Sequence, residues 1–149
     1  MIRWQENLID DPEGIRQLLA DVRRIAVLGM KTENQAFKPA FYVPQYLAQA
    51  GFEVIPVPVY YPDVTEILGR RVFRKLADIP EEIDLVDVFR RSEHIPLHVK
   101  DMVSSRPKAV WFQLGIRNDE VAQALAEAGI KVVQDRCLMV EHRAIAGGW

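Results

Sequence analysis

The sequence contains one cysteine, Cys137. An internal disulfide framework is therefore excluded, and a reducing compartment, the cytoplasm, is the expected setting. No apolar run approaches the roughly 20 residues of a bilayer span. The opening stretch, MIRWQENLIDDPEG, has no continuous apolar segment of the secretory kind. Neither sign of charge dominates: 19 Lys and Arg stand against 21 Asp and Glu, for a net charge of -2. That balance argues against broad adhesion to nucleic acid or to an anionic membrane, so neither partner is expected. Internal repeats, low-complexity runs and linkers are absent, and the nine prolines are spread along the chain without marking a boundary. Two phosphate signatures are missing as well. Without G-x-x-x-x-G-K-[ST], P-loop nucleotide hydrolysis is disfavoured. Without G-x-G-x-x-G, a conventional dinucleotide site is disfavoured.

What remains is an ordinary globular composition, 49% hydrophobic and 27% charged over 149 residues, read as one domain over 1–149. Asp11 and Pro12 open a helix of about 12–22, with Ile15, Leu18, Leu19 and Val22 on one face. Ile25 to Leu28 is a short apolar run ending at Gly29, the pattern of a buried parallel strand. Val43, Tyr46, Leu47 and Ala50 follow at helical spacing, with Pro44 demanding a late start or a kink. Val54 to Val57 is a second strand, and its Pro56 marks a strand end or a position where no donor is needed. Residues 59–82 resist typing. Leu85 to Phe89 is a third strand, followed by a helix from Pro96 carrying Leu97, Val99 and Val103. Ala109 to Leu114 is a fourth strand. Asn118 caps a helix with Val121, Ala122, Leu125 and Ala128 inward, and Ile130 to Val133 is the fifth strand. This alternation predicts an α/β fold: a Rossmann-like doubly wound sheet of about five parallel strands, order 3-2-1-4-5, with helices on both faces.

In such sheets ligands sit beyond the carboxyl ends of the strands. Gly29-Met30-Lys31 follows the first strand, Pro58 and Val59 the second, Arg90 and Arg91 the third, Gly115 and Arg117 the fourth, and Arg136 and Cys137 the fifth. Gln113 lies near the end of the fourth. Lys31, Arg90, Arg91, Arg117 and Arg136 are thus candidates for one basic rim facing an anionic ligand with several phosphates. The competing reading is a set of solvated charges paired with local carboxylates.

Several strings are more specific in combination: IAVLGM, KPAFYVPQYLAQAGFEVIPV, EILGRRVF, LADIPEEIDLVDVFRRSE, VWFQLGIRNDE and VVQDRCLMVEH. Over about residues 24–143 the chain resembles the small stand-alone CoA-binding proteins, which are similar to the N-terminal CoA-binding domain of the succinyl-CoA synthetase alpha subunit. The resemblance implies coenzyme A, free or acylated, as bound ligand. It also implies a site built from Gly29, Met30, Lys31, Pro39, Val57, Pro58, Phe89, Arg90, Arg91, Gln113, Gly115 and Arg136. The chain departs from the family pattern at Lys31 and Ala40, where serines are common, and at Pro58-Val59, where the family often has Asn-Pro after the valine. The synthetases work through a phosphorylated histidine on a second domain, for which this chain has no room, so ligase activity is not expected.

No catalytic constellation is evident. His94 and His98 are four apart, but Pro96 at a helix start keeps them from stacking as metal ligands, and no metal is expected. His142 reads as a structural or surface residue. Cys137 beside Arg136 could act as a redox thiol or form a mixed disulfide with the CoA thiol, against the alternative of a small buried hydrophobe. Trp111 and Phe112 read as core on opposite faces. Phe41, Tyr42, Tyr60 and Tyr61 are candidates for lining an adenine or pantetheine slot, with packing as the plainer role. The expectation is a CoA-binding protein without catalysis of its own. The alternatives are an enzyme using another nucleotide such as NADP, or a vestigial domain that serves as an interaction module. A homodimer is plausible on general grounds.

Overall fold

Short apolar runs set the sheet. The computed structural model describes residues 3–147. In chain order its strands are β1 (Arg24–Leu28), β2 (Glu53–Val57), a two-stranded antiparallel hairpin of β3 (Glu66–Ile67) and β4 (Arg70–Arg71), then β5 (Leu85–Val88), β6 (Ala109–Phe112) and β7 (Lys131–Val133). The helices are α1 (Pro12–Ala20), α2 (Pro39–Gln49), α3 (Val99–Ser105), α4 (Asp119–Glu127) and α5 (Leu138–Ala146). Five parallel strands form one sheet in the order β2-β1-β5-β6-β7.

The doubly wound architecture is as expected, but the order 3-2-1-4-5 is not. Counted among the five parallel strands alone, the order is 2-1-3-4-5. Pro56 supplies the reason. It lies within β2 yet has no N–H to give a further strand, and such residues belong on a sheet edge. Its carbonyl accepts instead from the backbone N–H of Phe73 at 3.0 Å, just past the hairpin. The 66–73 segment therefore covers the outer edge of β2, and the chain returns past β1 to lay β5 on its other side. Arg74 ties this excursion together by donating to the carbonyls of Tyr60, Tyr61, Pro62 and Val64. Ile67 and Leu76 are its buried anchors.

Strand pleating splits the core in two. Ala26, Leu28, Val86, Val88, Val110 and Phe112 face α3 and α4, meeting Met102, Val121, Ala122 and Leu125. Ile25, Val27, Leu85 and Trp111 face α1, α2 and α5, meeting Ile15, Leu18, Phe41, Leu47 and Leu138. Trp111 and Phe112 thus lie on opposite faces, as their adjacency in a strand requires.

Asp11 caps α1 by accepting from Gly14 N–H at 3.0 Å, and Asn118 caps α4 by accepting from Val121 N–H at 3.0 Å. On α4 the buried fourth position is Ala126, and Ala128 is exposed. The helix expected from Pro96 is displaced. Residues Ser92–His98 form 3₁₀ turns, and α3 begins at Val99. At three residues per turn Ile95 points inward and Leu97 outward, so Leu97 and Val103 are exposed while Met102 is buried. Helix α5 has no counterpart in the sequence reading. Its N-cap, Cys137, makes no side-chain capping bond. The first N–H of the helix, from Leu138, is instead received by the side chain of Gln113 at 3.0 Å, a residue 25 positions away.

Helix α2 begins earlier than Pro44 allows for a regular ladder. Proline at position 44 leaves the carbonyl of Ala40 without its intrahelical donor. The backbone N–H of Lys31 takes that carbonyl at 3.1 Å. The proline that looked misplaced thus fastens the loop after β1 to the start of α2.

Candidate ligand-binding cleft

The sheet order places its switch point between β1 and β5, where the chain leaves in opposite directions. A crevice opens there, beyond the carboxyl ends of the strands. Gly29 closes its floor. Its φ is +87°, and a Cβ built on it would lie 2.4 Å from the carbonyl oxygen of Phe89. Only glycine accommodates both that φ and that approach. Gly29→Ala is expected to destabilise the fold by about 3 kcal/mol or more, through strain at a positive φ together with a backbone clash. Chemical denaturation measures this, and a loss under 1 kcal/mol, a value set by ordinary surface substitutions of about 0.5 kcal/mol, would show that the crevice floor is loose.

The cleft encloses about 540 Å³. Lys31 enters from the loop after β1, and Lys38, Pro39, Ala40 and Tyr42 from the start of α2. Phe89, Arg90, Arg91, Ser92 and Glu93 come from the segment after β5, Gln113 to Ile116 from that after β6, and Cys137 from that after β7. Volume alone does not single it out. A groove of about 560 Å³ lies at the amino ends of the strands, and one of about 400 Å³ between α1 and α5. The chemistry does. Among the described residues no carboxylate forms an ion pair with Lys31, Lys38, Arg90 or Arg91, whereas Arg24, Lys108, Arg117 and Arg136 are all paired. Four cations and one carboxylate, Glu93, thus share one cleft with the N-terminus of an eleven-residue helix. Pro39 has no N–H to offer there and Lys38 makes no side-chain cap, so the positive end of the helix dipole adds to the side-chain charge.

Arg90 is held by neutral partners. It donates from Nε to His98 Nε2 at 3.1 Å and from a terminal nitrogen to Tyr60 Oη at 3.2 Å, and its guanidinium stacks 5.5 Å from the Tyr60 ring centre. Burial, then the charge of Arg90, holds the His98 pKa below the usual histidine range. Neutral His98 therefore accepts at Nε2 and carries its proton on Nδ1. The hydrogen bond from Arg90 also lowers the Tyr60 phenol. The arginine is oriented without losing its charge to a carboxylate.

Of the residues singled out from sequence, the structure brings Lys31, Pro39, Phe89, Arg90, Arg91, Gln113 and Gly115 together along the cleft. Gly29 lies beneath it. Met30 and Val57 are buried core side chains, and Pro58 is also buried. Arg136 does not join the rim. It turns toward Asp10 and Glu141, and its backbone carbonyl accepts from the Trp111 indole at 2.8 Å. Arg117 pairs with Asp119. Gln113 lines the cleft by position, but its side-chain oxygen is committed to α5. Lys38 was missed. A signal for it exists: a lysine directly before a helix-opening proline opposes the dipole, an arrangement that suits an anion between them.

The profile of the CoA binding domain matches residues 23–143. This chain belongs to the CoA-binding domain family. The Bacillus subtilis (strain 168) protein YneT is 34% identical over 128 residues, spanning 86% of this chain and 91% of its own. The Thermus thermophilus protein ID.343 is 40% identical in its solved structure, with a TM-score of 0.83 over 91% of this chain and 99% of that one. A dinucleotide-forming acetyl-coenzyme A synthetase of Ca. Korarchaeum cryptofilum, solved with phosphate and ADP, shares the fold at 20% identity and a TM-score of 0.63, this chain matching 26% of its length. The cleft of this family member lies at the switch point of a doubly wound sheet. Neither His94 nor His98 sits in a metal cluster: among the described residues no three of His, Cys, Asp and Glu come together as one. His142 is occupied elsewhere, its Nδ1 2.7 Å from Tyr46 Oη with Phe52 edge-on. No helix of the described residues is long and apolar enough to cross a membrane.

Proposed function

We propose that this protein binds coenzyme A or an acyl-CoA in the β1/β5 cleft and performs no chemistry of its own on it. The observation that supports the reading best is the meeting of Lys31, Lys38, Arg90 and Arg91, none paired with a carboxylate among the described residues, at the N-terminus of α2. CoA carries a pyrophosphate and a ribose phosphate, and each charge-assisted hydrogen bond to them contributes about 1.5–3 kcal/mol. Membership of the CoA-binding domain family supports the same ligand. A specific relation to the succinyl-CoA synthetase alpha subunit, a cytoplasmic setting and a homodimer belong to the proposal. The cleft also brings a thiol, Cys137, within the same lining, where it serves as a wall residue.

Thermal unfolding tests the ligand class. At a CoA concentration of 100 times Kd, linkage adds about 2.7 kcal/mol to stability, a rise of several degrees in Tm. NADP at the same concentration is expected to shift Tm by less than half as much. A larger shift with NADP than with CoA favours the nucleotide-enzyme reading and overturns this one.

A further inference from the structure

The basic side chains account for one half of the cleft. Along the sheet edge its character changes. Over β1 and β5 it presents Lys31, Lys38 and Arg90, and after β6 it presents Leu114, Gly115 and Ile116. Leu114 is 68% exposed and Tyr42, in the same lining, 38%. One exposed apolar side chain is ordinary, but two in the lining of a single cleft mark a binding surface. Nor is Leu114 on a loose loop. Ile116 N–H donates to the Gln113 carbonyl at 2.9 Å, Gly115 N–H to Asp135 Oδ1 at 2.7 Å, and Arg117 N–H to Ser92 Oγ at 3.0 Å. The turn that displays the leucine to solvent is bonded on both sides.

A ligand that satisfies both halves carries phosphates at one end and a hydrocarbon chain at the other. Resting on the CoA reading, we infer that the cleft selects medium-chain acyl-CoA over free CoA, the chain lying across Leu114 and Ile116 with Tyr42 opposite. No bond is made or broken: the acyl chain leaves water for an apolar wall that is otherwise exposed.

The full chain is titrated calorimetrically with CoA, acetyl-CoA and octanoyl-CoA. Octanoyl-CoA is expected to bind about tenfold tighter than CoA or more, since even two to three buried methylenes suffice for that, and acetyl-CoA to resemble CoA. In Leu114→Asn the ratio of octanoyl-CoA to CoA affinity is expected to fall to about twofold or less, with melting unchanged as a check on folding. Equal affinities for CoA and octanoyl-CoA in the wild type overturn the inference and leave the CoA reading standing. A ratio that survives in Leu114→Asn overturns the placement of the chain. Failure of every ligand to bind overturns the CoA reading, and the inference with it.

Discussion

Replacing Lys38 and Arg90 together with alanine is expected to weaken CoA binding about a hundredfold while leaving the fold intact. Two charge-assisted contacts at about 1.5–3 kcal/mol each set the upper range, and solvent screening at a half-open cleft reduces it. The double variant is also expected to flatten the dependence of affinity on salt, since fewer cations then face the phosphates. Folding is spared for identifiable reasons. Lys38 opposes the dipole of α2 from its N-cap position, so alanine there relieves an unfavourable term. Arg90 contacts Tyr60 and His98, neither of which carries a charge that needs it. The control removes equal charge elsewhere: Lys100→Ala with Lys131→Ala, both exposed and outside the cleft. Titration of both double variants decides the matter. Equal affinities in the two would mean that net charge, not this cleft, attracts the ligand.

Asp87→Leu is expected to stabilise the protein by about 1–3 kcal/mol at neutral pH, the range for a buried polar group released from an unmet hydrogen bond. Asp87 sits in mid-sheet on β5, between Val27 of β1 and Trp111 of β6. It is fully buried, and neither carboxyl oxygen has a partner. Its neighbour on the same strand edge, Asp84, shows the contrast. Burial pushes Asp84 upward too, but the backbone N–H groups of Arg24 and Arg23, both at 2.9 Å, and Lys108 at 3.2 Å bring it below the usual carboxylate range. Asp87 has only burial, which drives its pKa well above that range and favours the protonated form.

The sign of the pH effect follows. An acid whose folded pKa lies above its unfolded value of about 3.9 costs nothing below that value. As pH rises, the unfolded chain ionises and gains stability while the folded chain cannot. Stability falls from about pH 4 upward, until the folded pKa is reached. The advantage of Asp87→Leu is therefore expected to grow as pH rises above about 4, the edge set by the unfolded carboxylate pKa of about 3.9, when denaturant midpoints are compared across pH. A leucine variant that is less stable at every pH, or whose advantage is flat, would show that the carboxyl is satisfied in solution.

Much of this architecture could be read from one sequence because strand and helix periods are local. The five parallel strands, the caps at Asp11 and Asn118 and the opposite facing of Trp111 and Phe112 all follow from patterns a few residues long. The sheet order was misread although its cue was present. Pro56 in β2 excluded a neighbour on that side, and only the hairpin at 66–71 shows what covers the edge instead. Helix α5 escaped notice because its start is held by Gln113, a tertiary partner, and by no local cap.

The site divides along the same line. Which residues follow the strands is a property of the sequence, so Lys31, Arg90 and Arg91 were found. Where a long side chain turns is decided by its neighbours in space. Arg136 stands at the carboxyl end of its strand but finds Asp10, 126 residues away, and Glu141 before it can reach the cleft. Lys38 lies outside any strand end and arrives only because α2 starts where the loop from β1 is fastened to Ala40.

The most direct test of the central claim is calorimetric titration of the reduced, full-length protein with CoA, with NADP titrated under identical conditions. Saturable binding of CoA in the micromolar range, with NADP weaker by about tenfold or more (a gap of about 1.4 kcal/mol), is the predicted result. No saturable heat with CoA, corroborated by an unchanged Tm, would contradict the assignment of the β1/β5 cleft as a CoA site.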